Sequence, residues 1–271
     1  MQIEDPNQAA GDGDGNGQRR AGIYLLPNLF TTAALFAGFY AVVAAIDGRF
    51  VAAAVAIFIA GLLDGLDGRI ARLTNTQSEF GVQYDSLADL ISFGLAPALV
   101  VYLWALRSLG EYGENLAKVG WLAAFLFAAC AALRLARFNA QVGVSDKRYF
   151  QGLASPMAAG VMITMVWSLE SVGVTGAEVS VLALVVTVVT AMLMVSNVRY
   201  HSFKSWPPSQ KVPFLWVLLL VLIFVLLALD TPKMLAAMAW IYAASGPVIT
   251  VAGRIRHRSR RNRRVEGSAD E

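Results

Sequence analysis

Gly61-Leu-Leu-Asp64-Gly-Leu-Asp67-Gly68-Arg69-Ile-Ala71-Arg72 closes an apolar run that starts near residue 50, and Gly81-Val-Gln-Tyr-Asp85-Ser-Leu-Ala-Asp89 opens the next one. Both runs can cross a bilayer, since a helix needs about 20 mostly apolar residues to span ~30 Å of hydrocarbon. Ionisable groups inside a span are costly and usually face a cavity or a partner, so four aspartates in this stretch need a reason. Helical geometry supplies one. At ~100° per residue, Asp64, Asp67, Gly68 and Ala71 share one face of the first helix, while Gly81, Asp85, Asp89, Ser92 and Ala96 form a narrow stripe on the second. The polar link from Thr74 to Glu79 makes the two helices antiparallel neighbours. Two carboxylate pairs then converge on one site, where they would repel one another strongly without cations. Oxygen ligands select hard ions, and the pattern predicts two divalent cations, Mg²⁺ or Mn²⁺.

The surrounding chain has the same character. Of its 271 residues 57% are apolar and 15% charged, against about 45–50% and about 25% in soluble domains. Eight segments read as spans: roughly 27–46, 50–72, 84–106, 117–138, 153–170, 177–196, 212–229 and 232–252. With eight spans, 18 of the 22 Lys and Arg fall on the side that holds both termini. The positive-inside rule makes that side cytoplasmic, so the expected architecture is an all-α polytopic bundle in the inner membrane of a bacterium. Three regions follow: a disordered tail over 1–18, a transmembrane catalytic domain over 19–253 with its motif helices at about 50–106, and a basic cytoplasmic tail over 254–271. The seven arginines from Arg254 to Arg264 fit an anchor on anionic head groups rather than a nucleic-acid site. Cys130 is the single cysteine, which excludes an internal disulfide, and His201 and His257 lie outside the apolar runs. Any metal is therefore held mainly by carboxylates.

Gly68, Ala71 and Gly81 remove bulk beside the acids, which allows close helix packing or close approach of a ligand. Arg72 adds a planar cation suited to phosphate oxygens. Acids for metals, space for a ligand and an arginine for phosphate describe a phosphoryl-transfer site. The spacing D-x2-D-G-x2-A-R-x8-G-x3-D-x3-D, from Asp64 to Asp89, resembles the signature of the CDP-alcohol phosphotransferase family at every specified position. That resemblance implies a reaction joining a CDP-linked alcohol to an acceptor alcohol with release of CMP. It implies that Asp64, Asp67 and Asp85 bind one metal, that Asp64, Asp85 and Asp89 surround a second, and that Asp89 takes the acceptor's proton. It also implies that Gly68, Ala71, Arg72, Ser78 and Gly81 line the CDP group. Pro27-Asn28-Leu-Phe-Thr31 matches the family's element at the start of the first helix, which brings Asn28 and Thr31 to the nucleotide.

Three further stretches resemble the family's serine-accepting branch: Ile91-Ser-Phe-Gly-Leu-Ala-Pro97, Arg134-Leu-Ala-Arg137-Phe-Asn139 and Phe150-Gln-Gly-Leu-Ala-Ser-Pro156. The branch often carries Pro where Ala154 stands. The implied substrates are CDP-diacylglycerol and L-serine. Arg134 and Arg137 suit a carboxylate-bearing acceptor, because Arg pairs with carboxylates through two parallel hydrogen bonds; Asn139 and Ser155 are further acceptor candidates. Glycerol 3-phosphate, inositol phosphate or phosphatidylglycerol as acceptor stays open, although a phosphorylated acceptor calls for a denser cluster of cations. An ion-coupled transporter is the alternative of another class; transporters often carry internal repeats, and no second copy of the Asp motif is present. Membrane lipids are the expected surroundings, and a homodimer is left open.

Overall fold

A computed structural model describes residues 15–74, 78–140, 149–201 and 214–267. Residues 1–14 of the expected tail, Lys147, Arg148, Lys204, Lys211 and the last four residues lie outside them.

The first two helices are α1 (Gly15–Ile46) and α2 (Phe50–Thr74). Their seam is made of small residues: Ala34, Ala41, Ala44 and Ala45 meet Ala53, Ala54, Ala56 and Ala60, all buried. In lipid there is no hydrophobic drive to hold helices together, so close backbone approach between small side chains does that work. The turn between them needs Gly48 at φ 73, a left-handed position that L residues avoid. Its N–H caps α1 on Ala45 O at 3.1 Å, and Arg49 N bonds Ala44 O at 2.8 Å.

The third expected span is longer and less regular than its hydropathy indicates. It comprises α3 (Glu79–Asp89), a π-helical turn (Leu90–Leu95) and α4 (Ala96–Trp104), followed by a 3₁₀ turn over Leu106–Tyr112. Ser78 caps α3 by accepting the Gly81 N–H at 3.0 Å, so the helix starts at Glu79, five residues before the expected 84. The π turn sits just ahead of Pro97, which has no N–H to donate and whose ring crowds the preceding turn; widening the helix accommodates both defects. Ser92, in that turn, donates to Ala34 O of α1 at 3.1 Å. Gly38 permits the crossing, because a Cβ there would lie 2.5 Å from Ser92 Oγ.

The remaining helices are α5 (Glu114–Ala140), α6 (Ser155–Ser171), α7 (Ser180–Val195), α8 (Phe214–Leu229) and α9 (Thr231–Gly267). Two short strands absent from the sequence reading, β1 (Tyr149–Gln151) and β2 (Arg199–His201), pair antiparallel with Phe150 opposite Tyr200. They clasp the α5–α6 connection to the α7–α8 connection. The clasp is anchored on α9: Tyr200 is buried, donates to Ala243 O at 3.0 Å and stacks on Tyr242 at 5.5 Å.

The fold is that of a polytopic helical membrane protein. Four helical stretches, Asn28–Ile46, Phe50–Ile70, Glu79–Tyr112 and Glu114–Ala140, are long and apolar enough to cross a bilayer, and Ser180–Val195 and Val217–Leu229 are shorter apolar helices. Phe36, Leu215 and Phe224 are 69–72% exposed. Apolar surface on this scale is disfavoured in water and suits lipid.

Candidate active site

The acids expected on facing stripes do meet. Carboxylate oxygens of Asp64 and Asp67 from α2 and Asp85 from α3 all lie within 4.8 Å of one another. Asp89, one turn beyond Asp85, comes within hydrogen-bond reach of the Asp64 carboxyl. Asp67 is buried and accepts the Thr31 hydroxyl at 2.7 Å, which ties α1 to the cluster. The ion pairs formed among the described residues are Arg49–Asp47 and Lys233–Asp230, both away from these acids. Asp85 Oδ1 is buried without a hydrogen-bond partner. Four converging carboxylates and an unsatisfied buried oxygen make a donor set that fits hard divalent cations.

The positions expected around the nucleotide surround the same end of α2 and α3. A Cβ on Gly81 would sit 3.1 Å from Ser78 Oγ and 3.4 Å from Asn28 Oδ1, so Asn28, Ser78 and Gly81 converge. Gly68 is exposed, and a Cβ added to it would meet nothing within 4 Å. Its small size is therefore not required by packing. Arg72 donates from Nε to Gly68 O at 2.7 Å, which holds the guanidinium along α2. The Thr31 hydroxyl, expected at the nucleotide, donates to Asp67. The Ala71 side chain lies outside the described residues.

The four acceptor candidates separate into three places. Arg134, on α5, donates to Ser155 Oγ at the start of α6 at 3.1 Å, and its guanidinium lies within electrostatic reach of Asp89. Its Nε is buried and unpartnered. Arg137, one turn on, is engaged by the clasp: it donates to Gln151 Oε1 and to Asn197 Oδ1, the latter at 3.0 Å. Asn139 donates to Ser86 Oγ of α3 at 3.0 Å. Arg134 and Ser155 therefore join α5 to α6, with the arginine in electrostatic reach of Asp89, whereas Arg137 joins the clasp and Asn139 joins α3.

Sequence reading missed the residues that reach this region from elsewhere. Tyr84 bonds the Thr32 hydroxyl at 2.9 Å beside the nucleotide positions. Gln151 and Asn197 hold Arg137, and Tyr242 of α9 comes within electrostatic reach of Arg134. A phenol hydroxyl in the mostly apolar run 232–252 was the available signal for Tyr242.

Comparison with known proteins agrees with this geometry. The model of the CDP-alcohol phosphatidyltransferase family matches residues 24–192. A Helicobacter pylori protein named CDP-diacylglycerol–serine O-phosphatidyltransferase is 39% identical over 203 residues, 75% of this chain and 83% of its own length. A Mycobacterium bovis protein of the same name is 34% identical over 228 residues, 76% of this chain and 72% of its own. An archaetidylserine synthase of Methanothermobacter thermautotrophicus is 31% identical over 187 residues, 68% and 73% of the two chains.

Proposed function

The chain belongs to the CDP-alcohol phosphatidyltransferase family, and from that premise we propose that it transfers the phosphatidyl group of CDP-diacylglycerol to L-serine, giving phosphatidylserine and CMP. The observation that carries the reading is the juxtaposition of the Asp64–Asp67–Asp85 cluster and Asp89 with the Arg134–Ser155 pair. The first is suited to a diphosphate and the second to an amino-acid carboxylate. The names of the relatives support serine over the phosphorylated acceptors.

In this reading Asn28, Thr31, Gly68, Ala71, Arg72, Ser78 and Gly81 cradle the CDP group. Gly68 leaves room for it, and Arg72 offers its remaining donors to phosphate oxygens. Two divalent cations, held by Asp64, Asp67 and Asp85 and by Asp64, Asp85 and Asp89, would neutralise the charge of the diphosphate and of departing CMP. Arg134 binds the serine carboxylate, with Ser155 beside it, and turns the serine hydroxyl toward Asp89. Asp89 accepts the hydroxyl proton. The serine oxygen bonds to the phosphorus that bears diacylglycerol, and the bond from that phosphorus to the bridging oxygen breaks, so CMP leaves with that oxygen. Alignment of the reacting groups and local charge supply the acceleration, with no covalent protein intermediate. Arg137 and Asn139 support the acceptor side by holding the clasp and α3 in place.

The same reading takes the chain to span the inner membrane eight times, with both termini and the site on the cytoplasmic side, where serine is dissolved. The charge distribution supports this arrangement. The deciding experiment is an assay of the purified protein with CDP-diacylglycerol, Mg²⁺ or Mn²⁺, and a panel of acceptor alcohols. Serine-dependent CMP release with phosphatidylserine as product is expected. CMP release driven by another alcohol, with none driven by serine, would overturn the assignment.

A further inference from the structure

The stretch Ile91-Ser-Phe-Gly-Leu-Ala-Pro97 supplies no side chain to the proposed reaction, yet it forms the π turn that directly follows Asp89. Successive residues of that turn each reach a different helix. Ser92 donates to Ala34 O of α1 at 3.1 Å, one turn after Thr31, which bonds Asp67. The buried Phe93 ring lies against α2, 3.7 Å from where a Cβ on Gly61 would stand, and Gly61 is one turn before Asp64. Gly94 is buried against α5, where a Cβ would lie 3.1 Å from the Ala131 Cβ and 3.1 Å from Leu90 Cδ1. Ala131 is itself fully buried and stands one turn before Arg134. Each contact is thus one helical turn from a side chain of the site. Residues three apart share a helix face, so a contact at the first fixes where the second stands.

We infer that Gly94 is a positioning residue for the acceptor: by closing the π turn on Ala131, it sets the distance between the acid stripe of α3 and Arg134 on α5. Two carbons pack best at about 3.5–4.0 Å, so a methyl at position 94 would have to push Ala131 away. Leu90 can swing its flexible end aside, but Ala131 has no rotamer to give, and close-packed interiors pass such strain on to the backbone. The turn is pinned to α1 by a hydrogen bond and to α2 by a buried ring, so the helix that moves is α5, with Arg134 on it. Ser78 and Gly81, among the nucleotide positions, lie at the opposite end of α3, clear of this contact. The inference rests on the proposed serine transfer and says what holds its acceptor arginine in place.

The test uses the full chain in detergent with CDP-diacylglycerol and Mg²⁺. Gly94→Ala is expected to raise the KM for L-serine about fivefold or more, because a displacement of well under an ångström already spoils the alignment of a binding group. The KM for CDP-diacylglycerol should stay within about twofold, since the shifted group touches the acceptor alone. A role confined to packing would lower the melting temperature and leave both KM values in place. Combining Gly94→Ala with Ala131→Gly moves the methyl across the contact, and the serine KM should return to within about twofold of wild type. With serine-dependent turnover intact in wild type, an unchanged serine KM in folded Gly94→Ala overturns this inference alone, as does a raised one that Ala131→Gly fails to lower. Wild-type turnover that ignores serine and follows another alcohol overturns the proposed function and this inference with it. Should Gly94→Ala not fold, Ala131→Ser, which adds one atom from the α5 side of the same contact, decides by the same serine KM.

Discussion

The metal side and the acceptor side of the site are built in opposite ways. On the metal side, four aspartates within 26 residues of sequence sit on two helices joined by a short turn, and the period of the helix alone brings them together. On the acceptor side, Arg134 of α5 pairs with Ser155 of α6, and Arg137, one turn on, is held by Gln151 and Asn197 at the clasp of β1 and β2. The difference teaches where a family's shared chemistry and its choice of acceptor reside. The first is local and compact in sequence, and the second depends on how distant helices dock. Damage to the metal side should therefore stop the reaction, whereas damage to the acceptor side should shift serine affinity or stability.

The largest expected effects are on the metal side. Stripping divalent ions with a chelator should abolish CMP release, and adding back Mg²⁺ or Mn²⁺ should restore it; full activity after exhaustive chelation breaks the account of the carboxylates. Asp89→Asn should lower kcat by about 10²–10⁴, the range for loss of a positioned base, while CDP-diacylglycerol binding is largely kept. Normal turnover in that variant would remove Asp89 from the role of base.

Effects of middle size sharpen the contrast within α5. Arg134→Ala should raise the serine KM by about 10–100-fold, as expected for hydrogen bonds to a charged group. Arg137→Ala should act mainly on the clasp, lowering the melting temperature in detergent, because its partners Gln151 and Asn197 are structural. A larger serine KM effect from Arg137 than from Arg134 would reverse the assignment of the two arginines.

The smallest effects separate space left for a ligand from space needed for packing. Gly68→Ala should leave stability unchanged, since the new Cβ meets nothing within 4 Å, and weaken CDP-diacylglycerol binding. Gly152→Ala should do the reverse. That residue sits at φ 79 with its would-be Cβ 2.2 Å from Met194 O, so a cost of about 1–3 kcal/mol in stability is expected. Melting curves and substrate KM values measured on both variants would test the pair together.

Much of the molecule was legible in sequence because it follows from short-range rules. Apolar length marked the helices, and a helical face predicted that Asp64, Asp67 and Asp85 would converge. Other features obey no local period. The π turn at Leu90–Leu95 lies inside an apolar run whose hydropathy is blind to backbone hydrogen bonding; Pro97 is its only trace. The β clasp pairs residues about 50 positions apart in strands of three residues, too short for an alternating pattern to register. The bond from the Thr31 hydroxyl to Asp67 joins residues 36 positions apart through the crossing of α1 over α2.

The sequence by itself determined the membrane class, the helices and the carboxylate cluster, because hydrophobic length and helical periodicity act over a few turns of chain. Only the tertiary structure decided that of the two arginines on α5 one pairs with Ser155 and the other joins the clasp, and that the clasp seats Tyr200 on α9. Those outcomes depend on close approach at glycines such as Gly38 and Gly246 and on hydrogen bonds between distant elements, and no local pattern of residues encodes either.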